Sequence, residues 1–538
     1  MQLSRRRFLA LSASFTVAAC SGDDVTSDGA SSSTEPGTSA PTTTDSTTTS
    51  SASASTTTAP ETTTADSTTT TVDEGPTLDE DPFVHGVASG DPDTGSVVLW
   101  TRLGGPITDE VIPVRWRLVG DDGTETEGVV ETGPDDGHSV HVVVETSGPG
   151  TYSFRAGGFD SPEGRTAPVD PDAERFRIAS ASCQNWENGF YAAHRDIAEW
   201  APDLVVFLGD FFYEGFGRTL ETGAVRLHEQ YEPTDLDGYR GRYSQYLGDP
   251  QLQACRAAAP WMAIWDDHEV DNNYAGLDAQ DGETVEAFAV RRAQAYRAWW
   301  ENTPTRLPAP DLADDPTARY EIHRGLDVGD LLRLSVLDGR QFRDDQLSDV
   351  VLDVGPPVEG WDDPGRTMLG AEQEAWTIDR FASSTATWNC LAQQTVFADT
   401  TLEGTGAILN YDQWDGYAAA RDRLLAAAPD NLVVVSGDIH LAGIAELGPE
   451  EGRRGVEFVT TGISSGANVD PALADVVRAI PSIVDAELEF RGSTRHTITR
   501  DRWTAEFRQV VDLADPESEV RTWKTFVVEA GTPSVAEA

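Results

Sequence analysis

Hydrophobic and polar positions keep one rhythm between Phe83 and about Pro168 and another beyond it. In the first stretch apolar and polar residues alternate over short runs, the period of a half-buried strand. Strands are predicted over residues 96–100, 114–118, 139–144 and 151–156. Turns are predicted over 91–95, 120–123 and 134–137, where Asp, Pro and Gly supply the backbone geometry of a reversal. The expected product is a small antiparallel sandwich, an N-terminal all-β immunoglobulin-like domain over residues 82–171. After Pro171 continuous apolar runs alternate with helical stretches, which marks an α/β region over 172–538. Its predicted strands are 176–180, 204–208, 261–265, 331–337, 391–397, 432–435 and 456–460. Helices are predicted over 189–200, 284–300 and 415–428.

The N-terminal end carries an address. Ser4-Arg5-Arg6-Arg7-Phe8-Leu9 and the apolar run to Ala19 resemble a twin-arginine export signal, too short to span a bilayer. Val17-Ala18-Ala19-Cys20 resembles a bacterial lipobox, which makes Cys20 the lipidation site; a cleaved signal with an incidental cysteine is the alternative. Residues 21–81 are almost wholly Ser, Thr, Ala, Gly and acidic residues, too poor in apolar surface to order, so a disordered linker is expected. The expected location is extracytoplasmic, with the body held by a lipid anchor at the outer face of a bacterial membrane. A net charge of -52 argues against nucleic acid as a partner. It does not exclude a phosphate-ester substrate, because bound metals invert the local field. A monomer is expected. Four cysteines, Cys20, Cys183, Cys255 and Cys390, are too few for a disulfide framework. Cys255 and Cys390 can either pair or, as expected, stay buried thiols.

The residues just past each predicted strand carry the chemistry. The exits are Cys183-Gln184-Asn185, Gly209-Asp210-Phe211-Phe212-Tyr213-Glu214, Asp266-Asp267-His268-Glu269 through Asn273, Asp338-Gly339-Arg340, and Ser436-Gly437-Asp438-Ile439-His440. In an open α/β sheet the crevice lies outside the carboxyl ends of the strands, so these exits face one place. Together they bring carboxylates, imidazole, a thiol and a phenol, a metal-site inventory. Each alone has a plainer account: an Asx turn, a solvated acidic loop, a buried thiol. The plain account is preferred elsewhere. His138 and His141 are read as strand residues, His194 as packing, and Trp261, Trp299 and Trp300 as core. Asp412 and Asp415 are expected to cap the following helix, and Glu372 and Glu374 to face solvent at a helix start.

Gly209-Asp210, then Asp267-His268-Glu269, then Gly437-Asp438-x-His440 resembles the calcineurin-like metallophosphoesterase pattern. Ala181-Ser182-Cys183-Gln184, Gly209-Asp210-x-x-Tyr213-Glu214 and Trp265-Asp266-Asp267-His268-Glu269-Val270 look like the alkaline phosphatase D (PhoD-like) branch. Leu337-Asp338-x-Arg340-Gln341, Gln413-Trp414-Asp415-Gly416-Tyr417 and the opening Phe83-Val84-His85-Gly86 through Pro92 are similar to that family's motifs. The resemblance covers nearly everything after the linker. It implies a metallophosphoesterase-like β-sandwich flanked by helices and a metal-dependent phosphoric ester hydrolase.

The resemblance places Cys183, Asp210 and Tyr213, completed by His440, around iron. Thiolate and phenolate suit a ferric ion, because a phenol ionises only near pH 10 without a strong Lewis acid. Oxygen ligands Asp210, Asp267, Asn273 and Asp438 are the candidates for calcium, with Asp210 bridging. Asp267 stands where many relatives in the wider superfamily carry asparagine. The implied reaction is attack on phosphorus by metal-bound hydroxide. His268 assists the leaving group or binds a phosphoryl oxygen. Arg340 offers donors to phosphate, or else makes an ion pair with Asp338 or Asp344. Monoesters and diesters both remain open, as does a phospholipase or teichoic-acid type of phosphodiesterase. A non-catalytic surface-binding protein is the alternative from another class.

Overall fold

Alternation along the N-terminal strands decides which side chains meet. In the computed structural model, which describes residues 76–105, 110–215, 219–220, 223–280, 282–349, 356–402 and 406–538, the strand Ile112–Gly120 buries Ile112, Val114 and Leu118. Gly150–Ala156 buries Tyr152, Phe154 and Ala156. These residues meet Val97, Leu99, Val140 and Val144 from the facing strands in one core. The expected signal, with Cys20, and most of the expected linker lie outside the described residues.

The N-terminal strands build two layers. One is a five-stranded sheet ordered Glu125–Thr132, Ile112–Gly120, Gly150–Ala156 and Phe159–Asp160, with Gly164–Thr166 pairing on Gly150–Ala156. The other, Val87–Asp93 with Ser96–Arg102 and Ser139–Glu145, forms one end of a ten-stranded sheet. Val87–Asp93 pairs in parallel with Pro260–Ala263, so the hydrogen-bond ladder runs on into the α/β region. From there the order continues through Leu204–Phe207, Arg175–Ala181, Arg491–Thr499, Arg502–Val510, Val520–Glu529 and Val535–Glu537.

A seven-stranded sheet faces it, ordered Arg324–Val328, Leu332–Val336, Trp388–Ala392, Leu432–Ser436, Gly455–Val459, Ala442–Leu447 and Ile483–Glu487. Parallel strands buried on both faces need no alternation, and Leu204–Phe207 and Leu432–Ser436 are buried throughout. Ile178, Val205 and Phe207 of one sheet share a core with Leu334, Val433 and Phe458 of the other. Helices close the outer faces. Leu236–Leu247 and Val285–Asn302 join the first core, and Gly370–Ala382 and Ala418–Ala427 supply Phe381 and Leu424 to a second. The architecture is α/β, two mixed sheets flanked by helices.

Boundaries depart from the sequence reading where side chains compete with the ladder. The strand expected over 391–397 is Trp388–Ala392. Beyond it Gln393 Oε1 accepts the Thr395 N–H at 3.1 Å, and Gln394 Nε2 donates to Trp265 O at 2.7 Å, turning the chain off the sheet. The helix expected over 415–428 opens as a 3-10 turn, Trp414–Tyr417, before Ala418–Ala427. Its expected caps do other work: Asp412 pairs with Arg340 and Arg343, and Asp415 accepts from Thr400 and Arg421. The helix expected over 284–300 is Val285–Asn302, with Thr284 outside it as the cap, its Oγ1 accepting the Ala287 N–H. Cys255 and Cys390 are free and buried. His141 stacks on Trp300 and reaches the Thr303 carbonyl at 2.9 Å, and burial holds its pKa down to about 4.

Asp91 fastens the N-terminal strands to the body. Its Oδ2 accepts from Thr305 Oγ1 at 2.7 Å and Arg306 N at 3.0 Å, and its Oδ1 accepts from Arg324 Nε at 2.9 Å. Asp91→Ala removes the carboxylate that pairs with the largely buried Arg324 guanidinium, which keeps the Ile322 and Ala263 carbonyls. The expected loss is about 3 kcal/mol, measured as a lower urea midpoint at unchanged slope.

Candidate metal centre

Eight non-glycine residues among the described ones sit at positive φ, and Cys183, Asp210, Asn273, Asp438 and His440 are five of them. Such a backbone is held only where its surroundings over-determine it. Cys183, Asp210, Asp438 and His440 follow closely on the strands that end at Ala181, Phe207 and Ser436, while Asn273 lies further out, in the loop that Asp267 closes. Glu269 supplies part of the restraint. Its carboxylate accepts the N–H groups of Asp210 at 2.9 Å, Phe211 at 2.7 Å and Asp266 at 3.0 Å, tying two strand exits to one buried side chain.

Ligand atoms of Cys183, Asp210 and His440 all lie within 4.8 Å of one another. Tyr213 Oη is 2.8 Å from Asp210 Oδ2 and 2.7 Å from His440 Nε2. His440 Nδ1 donates to the Gly466 carbonyl at 2.6 Å, which leaves Nε2 as a lone pair. The phenol therefore has one proton for two acceptors. Asp210 Oδ1 is buried with no partner at all. Burial, then the Asp210 charge, pushes the Cys183 thiol and the Tyr213 phenol well above their usual pKa values. Burial, helped by Arg491, holds His440 down to about 3, so its ring is neutral. A cation fits this donor set: it would satisfy the orphaned oxygen and relieve the crowding of acidic groups.

A second group adjoins the first through Asp210. Asp210, Asp267 and His268 cluster within 4.8 Å, as do Asp266, Asp267 and Asp438. Although burial works against it, the charges of Arg340 and His268 hold Asp267 well below the usual carboxylate range. Asp267 Oδ2 also accepts the Asn273 N–H at 2.7 Å, which closes the loop between them. Burial pushes Asp438 up to about 6 against the pull of Arg340. Asp266, not singled out from sequence, belongs here too, with Oδ2 buried and unpartnered. His268 Nδ1 lies 2.6 Å from Glu214 Oε2. Burial opposes its charge, but Glu214, Asp210 and Asp267 together raise its pKa well above the ordinary value.

Residues 178–507 match the model of the PhoD-like phosphatase family, and residues 67–169 match that of the PhoD-like phosphatase N-terminal domain. The chain belongs to the PhoD-like phosphatase family. It is 38% identical over 487 residues to alkaline phosphatase D of Bacillus subtilis (strain 168), covering 85% of this chain and 82% of that one. A solved structure titled "Structure of PhoD" superposes with a TM-score of 0.80 at 36% identity, over 86% of this chain and 93% of the other. The protein is a phosphoric ester hydrolase, which sets aside the non-catalytic reading.

In this PhoD-like phosphatase Arg340 occupies the interior rather than the crevice. It is fully buried, with Nη1 on Asp412 at 2.8 Å, Nη2 on Asp438 at 3.1 Å and Nε on Asp266. The ion pair, the alternative to phosphate binding, forms with these three and with Asp267 at 3.7 Å rather than with Asp338 or Asp344. Asp338 caps the turn by accepting the Arg340 N–H at 2.9 Å, and Asp344 accepts the Thr367 N–H at 2.8 Å. With all three nitrogens on carboxylates, the geometry supports orientation of Asp438 and Asp266 rather than a fork held out to phosphate. Gln413 Nε2 steadies the other Asp438 oxygen at 2.6 Å. Glu214 and Glu269 lie inside motifs that stand out for their neighbours, but Glu214 reaches His268 across 54 residues and Glu269 reaches Asp210 across 59.

A second buried carboxylate, Glu457, holds the opposite side. It accepts the Phe397 N–H at 2.8 Å, the Ala398 N–H at 2.7 Å and the Ser436 hydroxyl at 2.6 Å. Burial raises its pKa to about 7. A raised carboxyl stabilises the fold below its unfolded pKa and loses that contribution as pH climbs through the folded value. Relative to Glu457→Gln, the wild type should lose about 3 kcal/mol of stability between pH 4.5 and 7. Urea unfolding of both proteins at pH 5 and pH 8 measures the difference.

Proposed function

We propose that the chain hydrolyses phosphate monoesters or diesters, attacking phosphorus with water activated at a two-metal centre. The observation that carries this reading is Asp210, shared by two ligand groups and left with an orphaned buried oxygen. Cys183, Tyr213 and His440 with Asp210 would hold iron as Fe3+, the ion that suits one thiolate and one phenolate. Asp267, Asn273 and Asp438 would share Asp210 with calcium, a hard ion that takes oxygen ligands. When bound, the ions supply Lewis acidity that activates water and offsets charge on the phosphoryl oxygens.

The protein's own groups do the rest. His268, charged beside Glu214, presents its remaining N–H to a phosphoryl or leaving-group oxygen. Glu214 fixes that ring by its 2.6 Å contact at Nδ1 and by accepting the Asn272 N–H at 3.0 Å. Arg340 aims Asp438 and Asp266 at the centre and opposes the rise that burial imposes on both carboxyls. The export signal and lipid anchor at Cys20 belong to the same proposal. Residues 5–20 support a body working outside the cytoplasm, joined to a membrane only by that anchor. The charge of -52 argues against nucleic acid as its partner.

Elemental analysis of the purified protein, with monoester and diester assays before and after chelation, tests the reading. Iron and calcium are expected, with activity lost on chelation. Asp210→Asn should lower both metal content and turnover, the latter by about 100-fold or more. A folded protein that is metal-free, inactive and unrescued by both ions would overturn it.

A further inference from the structure

We propose that Arg491 is a positioning residue for the iron-type ligand group, acting through the loop from Gly462 to Gly466; this rests on the metal reading above. Nothing in the motifs points to Arg491, which begins the strand Arg491–Thr499 far from every ligand in sequence. It is buried at 3% exposure. Its guanidinium donates to main-chain carbonyls: Nε to Ser465 at 2.5 Å, and Nη1 to Phe490 at 2.9 Å and Leu488 at 3.4 Å. The contact that matters is the first, because Ser465 sits in a loop that touches two ligands at once.

On one side that loop grips the Cys183 turn. Ile463 N–H donates to Ser182 O at 2.9 Å, and Ser464 and Ser465 N–H donate to Cys183 O at 3.3 and 3.2 Å. Ser465 Oγ donates to the same carbonyl at 2.7 Å and accepts the Asn185 N–H at 3.2 Å. The approach is close enough that a Cβ on Gly462 would meet the Cys183 Cβ and carbonyl oxygen at 3.0 Å. On the other side, the Gly466 carbonyl takes the His440 Nδ1 proton at 2.6 Å. That bond decides which nitrogen of His440 is bare and turns it towards Tyr213 and Asp210. The loop thus sets the positive-φ turn at Cys183 and the tautomer of His440 together. Arg491 holds the carbonyl next to the one that His440 uses, and the strand behind it holds the loop's start, Gly492 N–H donating to Gly462 O at 2.9 Å.

The role predicts a selective defect. Arg491→Met keeps the volume of the stem and removes all donors. Arg491→Lys keeps the charge but loses the planar fork that reaches several carbonyls at once. In equilibrium dialysis of the full chain against buffered ferric iron, Arg491→Met should bind about 10- to 100-fold more weakly, and Arg491→Lys should fall between it and the wild type. Visible absorption of the phenolate–iron chromophore should lose intensity in the same order. Calcium affinity and the KM for a soluble ester should stay unchanged, and kcat should recover with excess iron. If Arg491→Met does not fold, Arg491→Lys decides, since it removes the Nε donor to the Ser465 carbonyl while still filling the position. Wild-type iron affinity and absorption in the folded variants would overturn the proposal. A wild type that binds no iron would instead overturn the metal reading, and this assignment with it.

Discussion

The rest of the structure answers to one constraint: too many acidic groups are gathered in a dry place. Asp210, Asp266, Asp267, Asp412, Glu214 and Glu269 are buried within reach of the partly buried Asp438, against the cations Arg340, Arg343 and His268. Taking a carboxylate out of water costs several kcal/mol that only a close opposite charge or strong hydrogen bonds can offset. The three cations and the backbone donors on Glu269 meet part of that demand. Burial meets the remainder by raising Asp210 and Asp266 well above the normal carboxyl range, so that the ion-free centre keeps protons it would surrender to a metal. Metal affinity in such a place is inseparable from proton release.

Keeping that cluster in register requires the strand exits to be fixed more firmly than loops usually are. Left-handed backbone at Cys183, Asp210, Asp438 and His440 is unfavourable for each residue alone. The compensation comes from buried side chains that accept several N–H groups from different exits. Glu269 does this under the first sheet and Glu457 under the second, while Tyr246 Oη takes the N–H of Trp186 at 3.0 Å and of Tyr213 at 3.2 Å. Each is a local bond with a long sequence separation, so the ends of separate strands are set against one another.

This division between local pattern and distant partner decides what is legible in the chain. Periodicity finds the strands that are buried on one or both faces, because their pattern is local. Ligand-bearing turns are legible for the same reason: Asp210 and Tyr213, or Asp438 and His440, sit within a few residues of each other and are chemically distinctive. Partner choice is not legible. Arg340 finds Asp412 across 72 residues and Asp266 across 74, while the nearer Asp338, two residues away, is occupied with backbone N–H groups. The same competition cuts short the strand expected over 391–397, where glutamine amides bind turn backbone, and draws Asp415 to Arg421 instead of a helix end. Local propensity states what a residue can do; the fold determines which of its options is nearest.

The N-terminal strands also bear on the site. Their parallel pairing places Ser89 opposite Pro260 and Gly90 opposite Trp261, on the very strand whose exit delivers Asp266 and Asp267. A Cβ on Gly90 would meet the Pro304 carbonyl oxygen at 2.0 Å and that of Trp261 at 2.6 Å, so the approach depends on the missing side chain. Asp91, one residue on, holds Arg324, whose Nη2 donates to the Ala263 carbonyl at 2.9 Å at the end of that same strand. The first strands of the folded body thus brace the Asp267 exit from outside, while Arg340 braces it from within. The N-terminal strands, which supply none of the clustered ligand groups among the described residues, in this way support the centre mechanically.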